Sequence, residues 1–246
     1  MVSSKYRKRL TVLIVLILLL LGAVLGVTVA YYQDTTGIVK NTFVGGILFT
    51  DPEVQFQLLE KQNAEVGTSE AAFKTAKYKL TGTDTATGQT YVVMPGAPIP
   101  KRPFVKIEKL LMRAYLFVSV DVTTDMYYET SAPTKWRNKD ATITWEMASG
   151  WKFLKRDGNR AVYYYTGTGT TGDGLIPGGT QALTIDIMNQ QNPASAGYTT
   201  GYSIRVDGSY VGNENGFPSI TFKAYICQAD GDGTTISKET AWATVR

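Results

Sequence analysis

Beyond residue 30 the chain is heavily punctuated. Short runs rich in Val, Ile, Thr, Tyr and Phe alternate with clusters of Gly, Pro, Asn and Asp. Such runs suit a pleated surface, and the clusters supply turn geometry. A 3.6-residue apolar period is almost absent, so the pattern predicts an all-β chain, a jelly-roll-like antiparallel β-sandwich, rather than an α/β fold. Residues 114–122 (AYLFVSVDV) read as a central strand covered on both faces. Residues 141–147 (ATITWEM) read as a half-buried strand, and further strands are expected at 161–168, 180–188, 200–208 and 219–229. In the YYY run, Tyr163 and Tyr165 share one face and Tyr164 the other, with one face expected to pack and the opposite face to stay wet. Residues 61–90 are less regular: TSEAAFKTAKYKL reads as a short helix or an irregular edge, and TGTDTATGQT as an exposed hairpin loop. One short helix is expected at the end. Ser237 caps it, Ile236 and Ala241 form a staple, and Trp242 and Val245 share its buried face.

The N-terminus is of a different kind. Lys5, Arg7, Lys8 and Arg9 precede residues 11–30, TVLIVLILLLLGAVLGVTVA, which carry no charge. A positive n-region, an apolar h-region and small residues at Thr28 and Ala30 make this an export segment with a cut before Tyr31. The run is also long enough to span a bilayer, so a retained anchor is the competing reading. The chain then divides into a signal peptide (1–30), an extended segment (31–46) and one β-sandwich domain (47–246). Four of the 25 Lys+Arg lie in the leader, and the remaining 21 equal the 21 Asp+Glu. The mature chain is formally neutral, which removes the main electrostatic warrant for a nucleic-acid partner.

The 246 residues include no His and a single Cys. Ser-His-Asp and Cys-His catalysis and HExxH zinc sites are therefore excluded. One Cys makes neither an intramolecular disulfide nor a thiolate zinc site. Asp230 and Asp232 have the opening spacing of a calcium loop. Thr235 stands where that loop needs Gly, and Ala241 where it needs Glu, so a plain turn is expected. Cys227 lies in an apolar run and reads as a buried small hydrophobe. The carboxylates show no pairing that supports glycoside hydrolysis. The expectation is a non-enzymatic protein with no cofactor, no metal and no catalytic residue.

Residues 36–49, TGIVKNTFVGGILF, are extended and apolar-flecked, with Gly45 and Gly46 as a hinge. They form either an ordinary first strand or a strand that adds to the sheet edge of a neighbouring subunit. Repeated head to tail, such addition gives a filament. The donor residues are then Ile38, Val39, Asn41, Phe43 and Val44.

Four blocks, in order, resemble the TasA/camelysin family of exported Gram-positive proteins. The leader and its sequel, TVAYYQDTTGIVKNTFVGG, are similar to that family's SipW-dependent leader through Ala30, Tyr31, Asp34, Asn41, Phe43 and Gly46. MPGAPIPKRPFVKI resembles its PG-x-x-I-x-K-x-P-x-V segment through Pro95, Gly96, Ile99, Lys101, Pro103 and Val105. RAYLFVSV resembles the following strand through Tyr115 and Phe117. ITFKAYICQADG and ETAWATV resemble the closing strand and helix through Tyr225, Gln228 and Trp242. Arg102 stands where the family often has an acid, and Cys227 where an aliphatic residue is common.

The resemblance implies a jelly-roll domain, leader removal by a dedicated signal peptidase, and assembly into extracellular fibres of a biofilm matrix. The implied partners are further copies of the chain in a head-to-tail homopolymer, with accessory matrix proteins beside them. The mature N-terminal segment would be the donor strand. The metallopeptidase label that some relatives carry does not transfer to a chain without His. A membrane-anchored cell-surface binding or adhesion domain is the alternative.

Overall fold

A computed structural model describes residues 36–38, 55–63, 80–85, 90–92, 95–96, 99, 101–122, 126–157, 160–190, 203–210, 219–231 and 234–245. Nearly every regular element is a β-strand, and every pairing is antiparallel. The strands are β1 (Thr36–Ile38), β2 (Gln55–Asn63), β3 (Leu80–Thr85), β4 (Thr90–Val92), β5 (Pro103–Leu110) and β6 (Ala114–Val122). Next come β7 (Met126–Glu129), β8 (Ala132–Asn138), β9 (Ile143–Glu146), β10 (Trp151–Asp157), β11 (Arg160–Tyr165) and β12 (Leu175–Ile176). The last are β13 (Thr180–Asp186), β14 (Ile204–Val206), β15 (Ile220–Gln228), β16 (Asp230–Gly231) and β17 (Thr234–Thr235), followed by helix α1 (Lys238–Val245).

The alternating residues of β6 organise the molecule. Leu116, Val118 and Val120 enter the main core, while Tyr115 and Phe117 enter a second cluster on the opposite face. β15 pairs with β6 along one edge, and β11 and β12 pair with it along the other. β10 closes the far side of this first sheet beside β11. The same division holds on the neighbours. Ile220, Phe222, Ala224 and Ile226 of β15 face the main core, and Tyr225 and Cys227 face away.

A second layer faces the main core. It consists of β13-β5-β2-β3 and β14-β9-β8-β7. Bridges Ile99–Ile204 and Met147–Met188 join these two four-stranded pieces. Trp136 and Trp145, opposite one another on β8 and β9, stack with ring centroids 5.2 Å apart, and Phe222 of the first sheet meets Trp145 edge-on. Tyr163 fixes the layers across this core. Its hydroxyl accepts from Trp136 Nε1 at 3.0 Å and donates to the Pro133 carbonyl at 2.6 Å. Burial pushes its phenol well up from the ordinary tyrosine value.

Helix α1 covers the other face of the first sheet. Thr240 N donates to Ser237 Oγ at 3.2 Å, the expected cap. Ala241, Trp242 and Val245 are buried, with Ile236 packed beside them. Trp242 lies 5.6 Å from Phe117 and 5.0 Å from Tyr225, ring to ring.

Four expectations are corrected. The YYY run has no wet face: Tyr163 and Tyr165 lie in the main core, and Tyr164 is buried with Trp242 in the cluster under α1, because the helix supplies a second apolar cover. Residues 81–85 of the expected hairpin loop belong to β3, whose Thr85 and Asp84 pair with Glu60 and Lys61 of β2. β-Branched threonines satisfy a ladder as readily as a turn when a partner strand lies alongside. Of the strand expected over 200–208, the described residues 203–208 form strand at Ile204–Val206 alone. Asp230 does not sit in a plain turn, since β16 and β17 form a small hairpin there. Apart from Leu80, which begins β3, the TSEAAFKTAKYKL segment lies outside the described residues.

Candidate functional site

The two ends of the first sheet differ in kind. β10 has a register shift between Phe153 and Lys155 and carries Lys152, Lys155 and Arg156. A bulge and clustered cations blunt an edge against further pairing. β15 has neither. It pairs with β6 without a break from Ile220–Val122 to Gln228–Ala114, and its only charged residue is Lys223. Among the described residues no strand occupies its other edge. Both faces of β15 are covered, one by the second layer and one by α1, so only the backbone edge is left available.

The sequence motifs fall into two structural groups. Tyr115, Phe117, Tyr225 and Trp242 converge in the aromatic seat of α1. Gln228, half-buried, pairs in register with Ala114 at the end of β15. The second group surrounds Lys101. Pro95 and Gly96 form a turn, where the left-handed φ of 76° at Gly96 suits glycine. Ile99 bridges to Ile204, and Pro103 occupies the first position of β5, where a proline does least harm to a ladder.

Between them Lys101 points inward. Its Nζ donates to Glu60 Oε1 at 2.7 Å, and both side chains are 0% exposed. Burial pulls the ammonium below the ordinary lysine value, and the Glu60 carboxylate opposes that shift. The backbone of Lys101 is gripped as well. Ser203 Oγ donates to its carbonyl, and Gln190 Nε2 donates to the same oxygen at 3.1 Å. Arg102, the departure from the family pattern, makes a two-pronged bond to Asp186 at 2.9 and 3.2 Å. The site groups motif residues but is closed to solvent, and its bonds tie the two four-stranded pieces of the second layer together.

An open cleft of about 260 Å³ lies on the outward face of β8, β9 and β14. Lys135 and Glu146, directly opposite in the β8–β9 ladder, line it with Thr144, Arg205, Glu129 and Ser203. No sequence signal marks this cleft, because its residues come from β7, β8, β9 and β14 and from unremarkable positions.

No family model, curated protein or solved structure matches the chain.

Thr28, Ala30, Tyr31, Val39, Asn41, Phe43, Val44, Gly45 and Gly46 lie outside the described residues. Ile38 ends β1, whose backbone pairs with β4 over three residues, Thr36–Val92 to Ile38–Thr90. Among the described residues no helix is long and apolar enough to cross a membrane, and the 11–30 run is not among them. Nor do those residues group three or more metal-ligating His, Cys, Asp or Glu side chains. Asp230 instead receives two bonds from the Arg113 guanidinium, which holds its carboxyl below the usual range. Cys227 is a free, buried thiol that burial pushes up from its ordinary value.

Proposed function

We propose that the chain is a secreted, non-enzymatic structural subunit of extracellular matrix fibres. Its mature N-terminal segment adds as a donor strand to the sheet of the next subunit. The observation that carries the reading is the β15 edge: nine residues, unbroken in register, covered on both faces and unpaired by any described strand. A long flat edge of this kind is a template for strand addition, since main-chain donors and acceptors there gain partners on pairing. The four-block resemblance to the TasA/camelysin family agrees with this use. Among the described residues, β1 pairs with β4 over three positions, a short ladder that costs little to release.

The test is electron microscopy of residues 31–246 beside a chain lacking 31–44. Filaments from the first and folded monomers from the second are expected. Equal polymerisation by both would refute strand donation, and membrane-bound, filament-free protein would favour the anchored adhesion domain.

A further inference from the structure

The β14-β9-β8-β7 piece carries an ordered outer face that assembly through β15 leaves unused. Register places Tyr127 opposite Arg137, Arg137 opposite Thr144, and Thr144 opposite Arg205. These four therefore form one transverse row across four strands, about 14 Å long at the usual inter-strand spacing. A second row, two residues along, runs from Lys135 to Glu146 and on toward Ser203. Their strand neighbours Trp136, Ile143, Trp145, Ile204 and Val206 are buried in the main core, so the row residues point outward, except Ser203, which is buried against the Lys101 backbone. The cleft lies over these rows.

The chemistry of the rows is specific. Two carboxylates (Glu129, Glu146) and two cations (Lys135, Arg205) line the cleft and balance in formal charge. A net anion meets the carboxylates, and a net cation meets the lysine and arginine. Lys135 and Glu146 face each other, yet neither side chain has an ion-pair partner among the described residues. Thr144 adds a hydroxyl that both donates and accepts. At the end of the first row the Tyr127 ring is 40% exposed and is steadied by the Arg137 guanidinium 5.4 Å from its centre. Donors, acceptors and an amphipathic ring on a neutral, shallow, elongated surface match a ligand that is uncharged and dense in hydroxyls. We propose that this face binds a neutral oligosaccharide chain laid across the strands, with Glu146 and Lys135 bonding its hydroxyls and Tyr127 packing against a sugar ring. The proposal does not depend on polymerisation.

The test is a titration of the full chain, held in a phosphocholine detergent free of sugar, with cellotriose, maltotriose and tri-N-acetylchitotriose, followed by saturation-transfer NMR. At least one trisaccharide is expected to bind saturably, with affinity unchanged by added salt. Glu146→Gln should weaken it about tenfold or more, the loss of a bond to a charged group. Tyr127→Ala should weaken it several-fold with unchanged circular dichroism. Absence of binding by all three sugars overturns the proposal. So does binding that ignores Glu146→Gln and Lys135→Gln together, or salt-sensitive binding of a zwitterionic dipeptide in place of the sugars.

Discussion

Replacing Lys101 by Met tests what the buried ion pair contributes to the second layer. Lys101 Nζ and Glu60 Oε1 are 2.7 Å apart with both side chains 0% exposed, and the Phe222 ring centre lies 5.9 Å from the ammonium. Methionine fills similar volume but leaves the Glu60 carboxylate facing a thioether in a dry site. Removing one member of a buried ion pair costs about 3–5 kcal/mol, because the remaining charge keeps its desolvation penalty and loses its counterion. With a urea slope of about 2 kcal/mol/M, a loss of about 4 kcal/mol lowers the unfolding midpoint by about 2 M. The assay is equilibrium urea denaturation of residues 31–246 followed by tryptophan fluorescence. The double replacement Lys101→Met with Glu60→Leu removes both charges and should return the midpoint to the wild-type value or above it. A single variant within about 0.3 M of wild type, inside the scatter of such midpoints, would refute the argument. A double variant no better than the single one would refute it too.

Ser237→Ala removes the acceptor for Thr240 N and should cost about 1 kcal/mol, read as faster amide exchange across α1. Trp242→Ala empties the seat between Phe117 and Tyr225 and should cost about 3–5 kcal/mol in the same denaturation assay. The Cys227 thiol should resist an aromatic disulfide reagent in the native protein and react fully in denaturant, because burial both covers it and disfavours the thiolate. Asp173 accepts a hydrogen bond from Lys238 at the start of α1, which holds its carboxyl below the usual range. A lowered folded value means that this contribution is fully present above the ordinary carboxylate pKa and is lost as pH falls through the lowered one. Asp173→Asn should lower stability slightly in the neutral region and leave the acid end unchanged, flattening that part of the acid limb in a stability–pH profile.

The double burial of β6 was legible in AYLFVSVDV, since a strand apolar at successive positions needs cover on both sides. So were the Ser237 cap and the burial of Cys227. β2 was not legible. QFQLLEKQN reads as mixed and polar, and its strand character comes from pairing with β5, about forty residues away in sequence. Lys101 was singled out by motif but not by environment. Set among prolines in PIPKRP, it has the local signature of a surface cation, and its burial is made tolerable by Glu60, 41 residues earlier. The wet face expected in the YYY run failed for a related reason. Alternation along a strand tells which residues share a side, and says nothing of whether a helix from the far end of the chain will cover it.

The unlike ends of the first sheet bear on how many neighbours a subunit can accept. A sheet open at both edges is divalent for strand addition, and divalent units stack into broad ribbons and aggregates. Here the bulge and cations of β10 blunt one edge, while among the described residues no strand pairs with the other edge of β15. Under the proposed strand donation, this sheet would offer a single acceptor edge. Supplied with one donor strand per chain, it would grow along a single line without branching.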